Sequence, residues 1–264
     1  PALTSAAMML GLDSTTAPRL AFIACMYSAC TTGSSYGFGV YAGAMQAALG
    51  LSDAQLANVN TLPFALGFVT PPVVARVGAA CGPSVCLMLG GIIASLSQVL
   101  MFLIAAGYLT SGSVSPAVSL VLCAMGVYVG TSLVSGVCFS APVYHFQRRR
   151  GRAVSLIKTF VGLSGAVVSQ LYVLLFGIPT RDPGALRCLL IWAGVSLGCT
   201  LFGAALIPSR PQQGSTEPSR MLRHCFFLLL ALAAASTAAS LTPSEGVPHS
   251  SMVLLMLGLS LGPI

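Results

Sequence analysis

The stretch Ala117–Tyr144, AVSLVLCAMGVYVGTSLVSGVCFSAPVY, decides the fold of this 264-residue chain because its 28 residues include no charged side chain. About 20 apolar residues in an α-helix cross a hydrocarbon core roughly 30 Å thick. Membrane-spanning β-strands instead alternate polar and apolar residues over about 10 positions. Because this run is continuous and longer, it predicts a membrane-spanning helix.

Similar apolar runs lie on both sides of this stretch. The whole chain is 56% hydrophobic and 6% charged, whereas an ordinary soluble domain is about 25% charged. The composition therefore predicts an all-α membrane protein. The other expected spans are Leu20–Leu49, Ala54–Ala75, Ser84–Leu109, Ala153–Ile178, Ala185–Ile207 and His224–Leu241, and an eighth run, Ser251–Ile264, is too short to cross.

The net charge of +7 comes from turns between the apolar runs. This placement makes nucleic acid a poor explanation for the charge and the lipid bilayer the expected partner. Arg181 alone falls on one predicted side, so the positive-inside rule predicts a cytoplasmic N-terminus. The opposite turns hold Arg19, Arg76, Arg148, Arg149, Arg150, Arg152, Arg210, Arg220 and Arg223.

Local motifs mark the element boundaries. Ser52-Asp53-Ala54-Gln55 has the pattern of a capping box that opens the second helix. Pro71-Pro72 is expected to bend or end that helix. We expect a six-helix domain over residues 1–207, a polar cytoplasmic linker over 208–223, and an incomplete second half over 224–264. Such an order is typical of two-halved transporters.

Small residues recur at four-residue spacing, which lets helix backbones approach closely. Plain helix packing explains them, and a transporter could also use such smooth faces for rocking motions. The pairs are Gly33/Gly37, Gly39/Gly43, Gly126/Gly130 and Gly194/Gly198.

The first span carries small and hydroxyl-bearing residues from Thr31 to Tyr41. These side chains either face a polar cavity or bond their own backbone and pack, and the sequence leaves both interpretations open. The solute contacts proposed in this span are Thr31, Thr32, Ser35, Tyr36 and Tyr41.

The fifth span contains Lys158, the one lysine of the chain. Its ammonium group can snorkel to the interface, or it can face a water-filled path and bind an anionic solute. Gln170 lies about 120° around the same helix, so the two do not share one narrow face. The cluster Arg148, Arg149, Arg150 and Arg152 is expected to bind lipid headgroups or neighbouring loops.

Four further polar residues fall within spans, and such groups more often bond between helices than bind ligands. They are Asn58, Asn60, Gln98 and Tyr128, of which Asn58 and Tyr128 are kept as cavity candidates. The three histidines, His145, His224 and His249, are expected at the surface. The nine cysteines lack CxxC spacing, and no catalytic or metal-binding pattern is evident. We therefore expect no enzyme, cofactor or metal site.

The run Phe146–Ala166, FQRRRGRAVSLIKTFVGLSGA, resembles the fourth loop and fifth helix of nodulin-like proteins of the major facilitator superfamily. Tyr36–Tyr41, with Leu51-Ser52 and Gln55-Leu56, is similar to their first helix and second-helix entry. The similarity extends from about Arg19 to Ile207. Arg76-Val77-Gly78 matches the remnant of a gating loop, of which Arg76 and Gly78 are the retained positions, without the neighbouring aspartate.

This resemblance implies a fold of two six-helix halves, a central solute cavity and alternating access. It places Lys158 at a recurrent lysine position of the family. The chain matches a major-facilitator-like six-helix N-terminal half plus one to two helices of an incomplete second half, so a homodimer is possible if the chain is naturally short.

Two functional hypotheses follow. The first is a facilitator or secondary transporter of a small solute whose identity the sequence does not give. The second is a non-transporting multi-pass protein, either a sensor or scaffold or a degenerate truncated transporter. Solute uptake by the full-length protein distinguishes them.

Overall fold

The computed structural model describes residues 16–66, 69–109, 114–146, 148–176, 183–207 and 219–241. Several sequence expectations concern residues outside these ranges: the run Ser251–Ile264, most of the linker over 208–223, and the turn that carries Arg181. His249 and Arg210 also lie outside the described residues.

Within the described ranges the chain is helical, with no strand among these residues. Two short 3-10 segments, Ser34–Gly37 and Pro183–Leu186, lie beside the α-helices. The α-helices are α1 (Thr16–Ser28), α2 (Cys30–Gly33), α3 (Phe38–Leu49), α4 (Asp53–Leu66), α5 (Pro71–Cys81), α6 (Pro83–Ala105), α7 (Pro116–His145), α8 (Arg150–Phe176), α9 (Arg187–Leu206) and α10 (Ser219–Leu241).

The first apolar run, Leu20–Leu49, is divided between three helices instead of forming one. The Ser34 hydroxyl donates a 2.8 Å hydrogen bond to the carbonyl oxygen of Thr31. Side-chain bonds of this kind compete with the regular helical ladder. The 3-10 segment Ser34–Gly37 follows at that point, so the run is not one regular α-helix.

The second apolar run, Ala54–Ala75, likewise corresponds to two helices, α4 and α5, bent by 55°. Pro71 and Pro72 occupy the first turn of α5, where proline fits because its fixed φ suits a helix start and no N–H is required. The prolines therefore begin a new helix beyond the bend.

The capping box is confirmed at the start of α4. The backbone N–H of Gln55 donates to Ser52 Oγ at 3.3 Å. The backbone N–H of Ser52 donates to Gln55 Oε1 at 3.0 Å. Both bonds satisfy N–H groups that a helix leaves unpaired in its first turn.

Among the residues that the structure describes, three helices are long and apolar enough to cross a membrane, or four if the bent pair α4 and α5 counts as one span. The outer face of α6 carries a stripe of exposed leucine and isoleucine, with Leu96 59% exposed. Soluble proteins rarely expose a continuous apolar stripe of this kind to water, whereas a helix that faces lipid normally does. These helices make the chain a membrane protein, and the six-helix bundle of a major facilitator half stays a prediction.

The glycine pairs divide into two groups. Gly126 and Gly130 face α6 closely, and Gly33 and Gly37 face α8 and α9. Gly39, Gly194 and Gly198 have open space where a Cβ atom would lie. Close helix packing therefore explains the first group only.

Two apolar cores lie one after the other along the bundle. One core includes Phe22, Leu87 and Val134. The other includes Met45, Met101 and Leu120. Along α6, α7 and α9, buried polar residues occupy the positions between these cores, which places a polar layer midway along the bundle. Its members include Ser95, Gln98, Thr131, Ser196 and Thr200.

Candidate functional site

Part of the polar layer holds the helices together. The Ser95 hydroxyl donates to the carbonyl oxygen of Ala193 at 2.9 Å and ties α6 to α9. Thr31 donates to the carbonyl oxygen of Ser196 at 3.4 Å. In lipid such bonds contribute roughly 0.6 kcal/mol each on average, so these side chains serve packing.

Another member of the layer, Thr131, lies on the wall of a large cavity of about 760 Å³. Its wall is built by residues of α2, the first 3-10 segment, α4, α5, α6 and α7. We call it the hydroxyl cavity because most of its polar lining residues bear hydroxyl groups: Thr32, Ser35, Tyr36, Tyr128, Thr131, Ser132, Ser135, Ser140 and Tyr144, joined by His145.

The hydroxyl groups on this wall are oriented by a chain of hydrogen bonds. Ser135 donates to the carbonyl oxygen of Thr131 at 2.8 Å. A hydroxyl has one proton to donate, so the 2.9 Å contact between Thr32 Oγ1 and Ser135 Oγ is donated by Thr32. Thr70 at the start of α5 donates to Ser132 Oγ at 3.1 Å. Ser132 Oγ is therefore the acceptor in this bond, and the Ser132 hydroxyl can donate its own proton to another partner.

Aromatic and aliphatic side chains form the rest of the wall. Phe64 and Tyr128 meet edge to face with ring centroids 5.9 Å apart. Tyr36 is 64% exposed and lies on the wall beside them. Among the described lining residues of the cavity there is no aspartate, glutamate, lysine or arginine. The wall therefore suits neutral hydrogen-bonding groups better than isolated ions, which are costly to hold within a membrane.

A second, much smaller space of about 30 Å³ adjoins the hydroxyl cavity. We call it the Gln98 pocket, and Ser35 and Tyr128 line both spaces. Gln98 is 2% exposed. Its Oε1 atom is buried and has no hydrogen-bond partner among the described residues. The predicted role of Gln98 in bonding between helices is therefore not seen at this oxygen.

Several predicted solute contacts come together at these two spaces. Thr32 and Tyr36 lie on the hydroxyl cavity, and Ser35 and Tyr128 lie on both spaces. Tyr41 lies on the Gln98 pocket. Gly78 of the gating-loop remnant lies on the wall of the hydroxyl cavity.

The other predicted contacts lie elsewhere. Thr31 is fully buried against α9. Lys158 is exposed on α8, and Asn58 is exposed on α4. The described lining residues of the two spaces do not include Lys158, Asn58 or the half-buried Gln170. Arg76 is exposed on α5, as are Arg148, Arg150 and Arg152 near the start of α8, where Arg149 is half-buried.

His145 was predicted at the surface, and this prediction was wrong. The residue is 7% exposed and lines the hydroxyl cavity. The next residue, Phe146, packs edge to face on Phe22 with ring centroids 5.8 Å apart, which anchors this end of α7 within the bundle. His224 is exposed on α10 as predicted, and its Nδ1 lies 2.7 Å from the carbonyl oxygen of Arg220.

Sequence reasoning also missed Ser132, Ser135 and Ser140 as cavity residues. Tyr128, Ser132 and Ser135 follow one another at spacings of four and three residues, which places these three along one side of α7. That spacing was a usable signal within an otherwise apolar run.

A family model described as Nodulin-like matches residues 18–258. The chain belongs to the Nodulin-like family. Comparison of this Nodulin-like chain with curated proteins and with solved structures gave no match. The matched range contains every described lining residue of the hydroxyl cavity and of the Gln98 pocket.

Proposed function

We propose that this Nodulin-like chain moves a small solute across a membrane by alternating access, with the hydroxyl cavity as the solute site. The observation that carries the proposal is a space of about 760 Å³, with hydroxyl groups on part of its wall, in a helical protein with an apolar exterior. Small-molecule sites typically measure about 300–1,000 Å³ and orient their ligand with a few polar groups.

The proposal includes a major-facilitator architecture and a cytoplasmic N-terminus. Arg76 and the arginines at the start of α8 then face the cytosol. Gly78 and His145 on the cavity wall belong to the same end of the bundle as these arginines. The cavity would accordingly be approached from the cytosolic side.

Uptake by the full-length protein in proteoliposomes tests this function. A panel of labelled neutral, anionic and cationic solutes is offered with and without the protein. Tyr128→Phe and Ser132→Ala each remove one hydroxyl from the wall. If the solute bonds to that hydroxyl, each should lower kcat/KM about 2- to 10-fold, since a neutral hydrogen bond contributes about 0.5–1.5 kcal/mol. Ser155→Ala on the exposed side of α8 is the matched control.

A second candidate function is a non-transporting sensor or scaffold, and the exposed Arg148, Arg150 and Arg152 favour it. Guanidinium groups grouped this way can bind anionic lipid or an acidic partner. If the full-length protein moves no solute of the panel and its binding to anionic vesicles falls in Arg→Gln variants, the scaffold function replaces transport.

A further inference from the structure

The Gln98 pocket lies where the first apolar run leaves the regular helical form. Ser34 and Ser35, from the 3-10 segment, line it together with Asn60 from α4 and Tyr128 from α7. It is therefore a site assembled from several helices, and it holds two side-chain amides, Asn60 and Gln98. Its volume of about 30 Å³ exceeds the 10–15 Å³ that one water-sized group requires.

The Gln98 amide is the unusual feature of this site. Its Oε1 is a buried acceptor without a partner among the described residues. A buried polar group left in this state costs roughly 1–3 kcal/mol. A side-chain amide offers an acceptor oxygen and two N–H donors. A hydroxyl group, which both donates and accepts, complements it, whereas an ammonium group donates only and a carboxylate accepts only.

The charge of the residues around the Gln98 pocket also favours a neutral ligand. Among the described lining residues of the Gln98 pocket and the hydroxyl cavity there is no acidic side chain, lysine or arginine to pair with an ion. An unpaired ion in such a setting loses its hydration without compensation. The wide space next to the pocket carries hydroxyl groups on part of its wall, and these can bond to other hydroxyl groups, while the rest of its wall is apolar.

We propose that the Gln98 pocket is a binding subsite for one hydroxyl group of a neutral, polyhydroxylated solute whose remainder occupies the hydroxyl cavity. This subsite rests on the proposed transport function and names its substrate class. Ser35 and Tyr128, which line both spaces, stand at the junction that the bound solute would cross. Water offers the same hydroxyl chemistry, so the experiment must separate water from solute.

The test uses the full-length protein in lipid nanodiscs and measures its thermal unfolding midpoint. The probes are glycerol, myo-inositol and D-glucose, compared with glutamate and choline at equal ionic strength. Gln98→Met removes the amide at nearly constant volume. Gln170→Met is the matched control, because Gln170 lies on α8 and is not among the described lining residues of either space.

At least one polyol should raise the midpoint of the wild-type protein, since a ligand that binds the folded state stabilises it. The apparent Kd for that polyol should weaken at least about tenfold in Gln98→Met, equivalent to about 1.4 kcal/mol, and stay within about twofold in Gln170→Met. If Gln98→Met does not fold, Gln98→Asn retains the amide but withdraws it by one methylene, and should also weaken binding.

Three results overturn the subsite: stabilisation by the charged probes alone, no stabilisation by any polyol, or equal polyol affinity in wild type and Gln98→Met. In the last two cases water is the sole occupant.

Uptake of the same probes in proteoliposomes separates the two proposals. Polyol binding that depends on Gln98 without uptake contradicts transport and supports the subsite. Polyol uptake unaffected by Gln98→Met supports transport and contradicts the subsite.

Discussion

Gly90 of α6 and Gly130 of α7 meet backbone to backbone. A Cβ atom added at Gly130 would lie 2.6 Å from the carbonyl oxygen of Gly90 and 2.6 Å from the backbone nitrogen of Ala94. The two helices therefore approach so closely at this point that neither glycine position has room for a Cβ atom. The crossing lies in the polar layer, so it also fixes the position of the cavity wall that α7 carries.

The first prediction concerns this crossing. Gly130→Ala should destabilise the protein by about 1–3 kcal/mol, because the neighbouring atoms belong to backbone and the helices must move apart. Gly194→Ala on α9 is the matched control, since nothing lies within 4 Å of its added Cβ. We expect that control to be neutral or slightly stabilising. Thermal unfolding in detergent measures both, and equal midpoints would contradict the close crossing.

The second prediction concerns the pair Thr32 and Ser135, which joins α2 to α7 on the cavity wall. Ser135→Ala leaves the Thr32 hydroxyl without its acceptor, so Ser135→Ala should cost more in wild type than in Thr32→Val. The coupling free energy should be about 0.5–1.5 kcal/mol. It is measured by a double-mutant cycle on the free energy of unfolding.

Ser140 provides the control for that cycle. Its hydroxyl bonds within α7 itself, to the carbonyl oxygen of Val137 at 3.4 Å. Thr32→Val and Ser140→Ala should therefore be additive. A coupling as large as that of Thr32 with Ser135 would show that the measured term is not their hydrogen bond.

The sequence predicted the helical class and one helix start in detail. Uninterrupted apolar runs dictate helices because lipid offers no partners for unpaired backbone groups. The capping box at Ser52 and Gln55 was predictable because its partners are three residues apart, so the interaction is local.

The break at Ser34–Gly37 and the burial of His145 could not be predicted in the same way. Serine and glycine both occur inside membrane helices. Composition alone therefore does not predict whether the α-helical hydrogen-bond pattern continues through Ser34–Gly37. His145 ends an apolar run, which is equally compatible with an interfacial position. Its place on the cavity wall depends on helices distant in sequence.

The third prediction concerns Lys158, for which the sequence left two interpretations. The side chain is exposed on α8 and is not among the described lining residues of the cavity. Lys158→Ala should therefore change solute uptake less than about twofold, while Tyr128→Phe has the larger effect. A loss tenfold or greater in Lys158→Ala would assign the lysine to the solute path and restore the anion-binding interpretation.

The fourth prediction concerns the start of α4. Ser52→Ala removes the acceptor for the backbone N–H of Gln55. It should cost about 0.5–2 kcal/mol. Hydrogen exchange should accelerate at the first amides of α4 and not at those of α7. Ser155→Ala, an exposed serine within α8, should leave exchange in α4 unchanged, and faster exchange in both variants would argue against a local capping effect.

The last prediction concerns orientation. Cys81 at the end of α5 is the exposed one among the nine cysteines, and the others are buried or half-buried. Tyr108 lies beyond the other end of α6 and is 75% exposed. A helix of 23 residues is about 34 Å long, enough to separate these positions across a bilayer.

A membrane-impermeant maleimide should therefore label Cys81 from the cytosolic side, and Cys81→Ser should abolish that labelling. In the double variant Cys81→Ser/Tyr108→Cys, labelling should occur from the opposite side. If both positions react from one side, α6 does not cross the membrane and the cavity does not lie on a path through it.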